Sequence, residues 1–140
     1  MGGSALLIDT GPVYAALDRR DAHHRACVRL FEEAEGALIV PQTVVTEIAY
    51  FIARGPGAEV ETAFLGDLAQ GTLIPEAVEP GDWIRIAELV WRYQDLPLGT
   101  VDASIVAIAE RLAITTVATL DRAHFGAIRP RHVDTFDLIP

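Results

Sequence analysis

Ala5-Leu6-Leu7-Ile8-Asp9-Thr10-Gly11-Pro12 decides how the rest of the chain is read. Four apolar residues in succession, without the alternation of a half-wetted strand, are the pattern of a strand buried on both faces of a parallel sheet. The run ends on an acid, and Gly11-Pro12 breaks it. Pro12 suits the first position of a helix through Val13 and Leu17. Working outward, Ala37 to Val40 repeats the buried pattern before Pro41, and Ile114 to Ala118 repeats it as a β-branched run. Thr72 to Val78 reads as an edge strand because Pro75 removes a ladder donor, and Thr135 to Ile139 as a last short strand. Between them lie segments of helical period: one capped by Asp21, carrying His24, Val28 and Phe31 and stopped by Gly36; Thr43 to Arg54; Ala58 to Gln70, stopped by Gly71; one opened at Asp82 or the residue before it, through Trp83, Ile86, Val90 and Trp91; and Val101 to Leu112 with Thr100 as N-cap. Alternating strands and helices predict a three-layer α/β/α fold, a mainly parallel sheet of about five strands between helices, joined by right-handed crossovers.

The 140 residues are expected to form one domain over 1–140. Apolar residues make up 51%, yet no apolar run approaches the roughly 20 residues that span a bilayer. Ala5 to Ile8 has neither the length nor the flanks of a signal peptide, so a soluble, cytoplasmic protein is expected, with no membrane partner. The one cysteine, Cys27, has the place of a small buried helix residue. Net charge of −9 argues against binding nucleic acid through the overall field. The acid-free segment from Arg122 to His132 is the exception, and offers Arg122, His124 and Arg129 as a local basic rim for RNA. All eleven cations are arginine, which excludes mechanisms that need lysine, such as the P-loop or a Schiff base.

In a parallel α/β sheet, ligands gather beyond the carboxyl ends of the strands. Asp9 follows the first strand, Asp121 follows Ile114 to Ala118, and Glu47 and Asp102 fall in early turns of their helices, so all four point to one edge. Glu88, Glu110 and the other acids fall between apolar positions and read as solvated. Taken singly, each of the four has a structural reading, because acids complement helix N-termini and cap turns. Taken together, four crowded carboxylates repel one another unless a cation neutralises them. All-oxygen ligation favours Mg²⁺, with Mn²⁺ as substitute, over zinc. Thr10, Thr100, Ser104 and Thr119 neighbour the acids and are candidates to orient water or carboxylates, while capping explains Thr100 equally well. Trp83 and Trp91 lie on one helix face as core or partner contact.

Leu-Leu-Ile-Asp-Thr at 6–10, Glu47, Val-Asp-Ala-Ser at 101–104 and Ala-Thr-Leu-Asp-Arg-Ala-His-Phe at 118–125 together resemble a VapC-type PIN domain over nearly the whole chain. The resemblance implies a sheet in order 3-2-1-4-5 and a switch point beside Asp9 and Asp121. It implies an endoribonuclease toxin of a toxin–antitoxin pair that cleaves structured RNA such as transfer RNA or a ribosomal RNA loop. It further implies a homodimer and a cognate antitoxin. By position, Asp9 and Asp102 match the family's principal magnesium ligands, Glu47 its helix-borne acid, and Asp121 its more variable fourth acid. Gly11-Pro12 departs from the pattern, leaving Thr10 as the hydroxyl after Asp9.

Three other readings stay open at this point. Asp9-Thr10-Gly11 is also the tripeptide of aspartic proteases, which are built of β-hairpins. A metal-independent ribonuclease would use His124 and His132 as acid and base. A catalytically silent PIN fold would be a binding module.

Overall fold

The protein is seen here as a computed structural model that describes residues 3–140, leaving Met1 and Gly2 outside the described residues. In chain order its elements are β1 (Leu6–Ile8), α1 (Thr10–Leu17), α2 (His24–Glu33), β2 (Leu38–Pro41), α3 (Gln42–Arg54), α4 (Ala58–Gln70), β3 (Ile74–Glu76), α5 (Pro80–Arg92), α6 (Thr100–Leu112), β4 (Thr116–Ala118), α7 (Arg122–Ala127) and β5 (Asp137–Ile139). The strands form one sheet in the order β3-β2-β1-β4-β5, and every neighbouring pair is parallel. Leu7 lies opposite Ile39 on one side and Val117 on the other. The continuous apolar runs therefore mark the three inner strands, and Pro75 sits on the β3 edge, where its missing N–H costs no ladder bond.

Chain direction reverses across the sheet after β3. Right-handed crossovers then put α1 to α4 on one face and α5 to α7 on the other. Leu7, Ile8, Val40 and Val117 are fully buried between Val44, Ile48, Ile52 and Phe64 of the first layer and Leu89, Ile105, Ile108 and Phe125 of the second. The switch point falls between β1 and β4, and the residues that leave those strands are Asp9 and the segment to Asp121.

Several helix starts differ from the sequence expectation, each for a local reason. α1 begins at Thr10, because the Asp9 carboxylate accepts the Thr10 N–H at 2.8 Å and caps it; Pro12 occupies the third position, where an N–H has no intrahelical partner anyway. Asp21 does not cap α2. Its carboxylate accepts the N–H of His23 in the preceding turn, and His23 stands at the N-cap. α2 ends at Glu33, before Gly36, whose missing Cβ would meet the Ser4 carbonyl oxygen at 2.1 Å. α5 opens at Pro80 behind Glu79, and Asp82 is its third residue, accepting the Glu79 N–H at 2.9 Å. Gly99, not Thr100, caps α6. α7 was not expected as a helix; it opens the segment read as a basic rim, and Asp121, the residue just before that segment, caps it.

Candidate active site

Asp9 is positioned by the strand behind it and the helix ahead of it. Its backbone N–H donates to the Ala118 carbonyl at 2.9 Å, locking it to β4, while Oδ1 caps α1 and Oδ2 accepts the Thr119 hydroxyl at 2.8 Å. Thr119 accepts in turn from the Asp121 N–H at 2.9 Å, so one buried hydroxyl ties the two strand-end acids together. Burial raises the Asp9 carboxyl above the usual carboxylate range. Bonds from Thr119 and Thr10 counter that, and the charges of Glu47 and Asp121 add to it.

Glu47 reaches the same place from α3, where its Oε1 accepts the Thr10 hydroxyl at 2.5 Å. Asp102 is the third residue of α6, near N–H groups that lack a helical partner, where a negative charge is favoured. Burial nevertheless pushes its carboxyl up to about 6, reinforced by Asp9, Asp121 and Glu47 and opposed by His124. Asp121 caps α7: Oδ1 accepts the His124 N–H at 3.0 Å and Oδ2 faces His124 Nδ1 at 2.5 Å. The same Nδ1 lies 3.9 Å from Asp102 Oδ2. The bond to Asp121 holds the imidazole above its ordinary pKa, with Asp121's charge, the Leu96 carbonyl and Asp102 adding to the effect against desolvation.

The four acids thus meet at one end of the sheet. One donor atom from each of Asp102, Asp121 and His124 fits within 4.8 Å of the others, the spacing of ligands on a single ion. Asp9 lies behind this set with both oxygens committed to Thr10 and Thr119, and Glu47 beyond it on Thr10. Among the described residues no arginine pairs with any of the four. Two raised carboxyls in mutual repulsion, with one imidazole as the neighbouring cation, are a donor set that a divalent ion fits.

The other candidate residues divide. Thr10 and Thr119 hold acids directly. Ser104 is buried behind the site: its hydroxyl donates to the Val101 carbonyl at 2.6 Å, and Thr43 of α3 therefore donates to it at 2.6 Å, tying the Glu47 helix to the Asp102 helix. Thr100 is exposed beside Trp91 and Gln94 rather than among the carboxylates. Of the basic rim, His124 joins the acids, Arg122 donates to the Leu138 and Pro140 carbonyls, and Arg129 to those of Gly126 and Ile128. Sequence reasoning placed His124 on the rim and passed over Thr43; the Asp121 to His124 spacing of three, at a helix start, was the signal for the first. Thr43 carried no signal, since its partner is 61 residues away.

A family model described as PIN domain matches residues 6–129. Ribonuclease VapC26 of Mycobacterium tuberculosis is 34% identical over 135 residues, covering 96% of this chain and 100% of that protein. Among solved structures, Mycobacterium tuberculosis VapC20, described as a sarcin-ricin loop cleaving toxin, superposes with TM-score 0.79 at 18% identity over 92% of this chain and 98% of that one. FitAcB from Neisseria gonorrhoeae does so with TM-score 0.64 at 17% identity over 96% of each. At such identities the two structures speak for the fold alone. The family model and the near full-length relative speak for more, and by them the chain belongs to the PIN-domain family and, within it, to the VapC type.

Proposed function

We propose that the protein is a metal-dependent endoribonuclease, the toxin of a type II toxin–antitoxin pair, with Mg²⁺ or Mn²⁺ held by Asp9, Asp102 and Asp121. The observation that carries this reading is the convergence of four carboxylates, two with raised pKa, with no arginine to neutralise them. A divalent ion bound there activates water and offsets the charge of an in-line phosphoryl displacement. The chain's own residues do the rest. Asp102 and Asp121 present oxygens from two helix starts, Thr119 keeps Asp9 turned toward them, and Glu47, held by Thr10, orients the attacking water. Arg122, at the start of α7, would meet the phosphate backbone of structured RNA, a transfer RNA or a ribosomal RNA loop, whereas Arg129 follows the far end of α7 with its guanidinium on the Gly126 and Ile128 carbonyls. The named activity of VapC26 as a ribonuclease supports RNA as substrate.

The histidine mechanism is disfavoured by geometry. His132 Nε2 faces the Ile114 carbonyl at 2.6 Å, before β4, whereas His124 lies beyond its other end. One cannot take a proton while the other gives one to the same phosphate. Trp83, Ile84 and Trp91 of α5 are exposed, Trp91 by 74%, and this apolar face supports burial against protein, either a second copy in a homodimer or the antitoxin. Sequencing of RNA ends tests the reading: cleavage in Mg²⁺ with 5′-phosphate and 3′-hydroxyl termini is expected. Full activity in excess EDTA, or cyclic 2′,3′-phosphate ends, would overturn it.

A further inference from the structure

On α3, Glu47, Phe51 and Arg54 recur at spacings of four and three and so share one stripe, with Tyr50 beside it. The stripe starts among the carboxylates, where Glu47 accepts the Thr10 hydroxyl. One turn on, Tyr14 of α1 meets Phe51 edge to face, centroids 6.3 Å apart with planes at 75°. Tyr50 meets Phe51 in the same way at 5.6 Å and 73°, and the Arg54 guanidinium lies 4.5 Å from the Tyr50 centroid. The base of this arrangement is fixed: the Tyr14 hydroxyl oxygen lies 2.6 Å from where a Cβ on Gly55 would be. The outer rings are open, Tyr50 54% and Phe51 45% exposed. Among the described residues Arg54 pairs with no carboxylate.

An unpaired guanidinium set against an aromatic ring, in a chain of net charge −9, is suited to a ligand that combines negative charge with flat π-faces. The exposed face of α5 lacks that combination of ring and guanidinium among the described residues. From Glu47 to Arg54 the helix rises roughly 10 Å, about three stacked bases. Nucleotides in a duplex have both faces covered, whereas those of a loop or bulge can be splayed onto such rings.

We propose that Tyr50, Phe51 and Arg54 form a stacking ledge for unpaired nucleotides that flank the bond cut at the carboxylate cluster, and so select loops over duplex. This rests on the ribonuclease reading of that cluster. The ledge acts on binding and register, and its residues take no part in proton transfer.

The test uses the full chain carrying Asp102→Asn, so that RNA is not consumed, and fluorescence anisotropy with two labelled probes: a hairpin RNA with an unpaired loop and a duplex of the same composition. Tyr50→Ala and Arg54→Ala added to that background should each weaken hairpin binding roughly ten-fold, the loss expected for one stacked base. Tyr50→Phe should retain the parental affinity, and duplex binding should not change. Hairpin affinity equal to the parent's in both alanine variants would overturn the ledge alone. The same unchanged affinity with a shifted oligomeric state in gel filtration would assign the rings to a protein contact, and overturns it too. No hairpin binding by the parent would overturn the ledge together with the ribonuclease reading.

Discussion

Asp102 sits where its charge is opposed. Its folded carboxyl is at about 6 against an ordinary value of 3.8, its side chain is 25% exposed, and the first cause is burial. Between those pH values the folded state binds more protons than the unfolded one, so in the metal-free protein this group's contribution to stability falls as pH rises from about 4 to above 6. The full effect is on the order of 2 to 3 kcal/mol. Asp102→Asn should therefore raise the metal-free melting temperature above pH 6 and flatten its pH dependence, while abolishing cleavage. A marked loss of melting temperature at neutral pH would instead identify Asp102 as a structural cap. With magnesium present the sign reverses: protons compete with the ion below about pH 6, and stabilisation by the ion should weaken there in differential scanning fluorimetry. Thr119→Val tests the neighbouring link. It keeps the shape but removes the donor to Asp9 and the acceptor of the Asp121 N–H, and should lower the rate roughly 10- to 100-fold, as loss of a ligand-orienting partner does. A variant as active as the parent, measured at saturating magnesium, would show that Asp9 needs no such tether.

At the level of elements, the inner strands and the acids that end them were legible because they need only local information: an apolar run, then a residue that cannot stay in it. Asp121 was legible by the same logic, as an acid just past a buried strand, and Glu47 and Asp102 as acids in early turns of helices with a clear apolar period. Glu110 was not. It falls among apolar residues of α6 and reads as a solvated face, yet its side chain is 10% exposed and bonds Arg85 Nε at 2.8 Å, while Arg131 donates to it from the chain after α7. The reason is that its partners come 25 residues before it and 21 after it, beyond any local pattern. Beside this pair, Arg111 binds Asp82 and Glu76, and the group clamps α5 to α6 at the end away from the site. Glu110→Ala should leave the buried Arg85 guanidinium with only its longer contact to Glu88, at 3.3 Å, and cost about 2 kcal/mol in urea unfolding. Burial alone would raise the Glu110 carboxyl; the Arg85 and Arg131 bonds override it and hold it low. Its contribution is thus present above the unfolded pKa and lost as pH falls through the folded one. Cleavage by the folded variant should equal the parent's; a lost rate without lost stability would mean that the clamp sets the Asp102 helix.

For the whole molecule, a net charge of −9 and a cluster of four acids at one sheet edge, with no arginine and only His124 beside them, set two demands that oppose each other. RNA must be brought to a negative protein, which confines attraction to local arginines such as Arg122 and Arg54. Any cation offered in fixed geometry is drawn to the acids. On the proposed reading a divalent ion would meet the second demand. A guanidinium can meet it as well, since its fork matches carboxylates in two-point contact and is always charged. We therefore expect the cognate inhibitor to be a small protein that lies over an exposed apolar face and inserts an arginine or lysine among Asp9, Glu47, Asp102 and Asp121. It should copurify on coexpression, inhibit at one equivalent, and compete with magnesium in a titration. The two parts of such an inhibitor separate physically. Apolar cover sets most of the affinity, whereas the inserted cation displaces the ion. Replacing that cation by alanine should then abolish inhibition while leaving the complex intact in gel filtration, and Trp91→Ala distinguishes the α5 face from others by weakening the complex if that face is the one covered. A partner that binds tightly yet leaves magnesium-dependent cleavage unchanged would refute the insertion, because a site with a guanidinium in it has no room for the ion it needs.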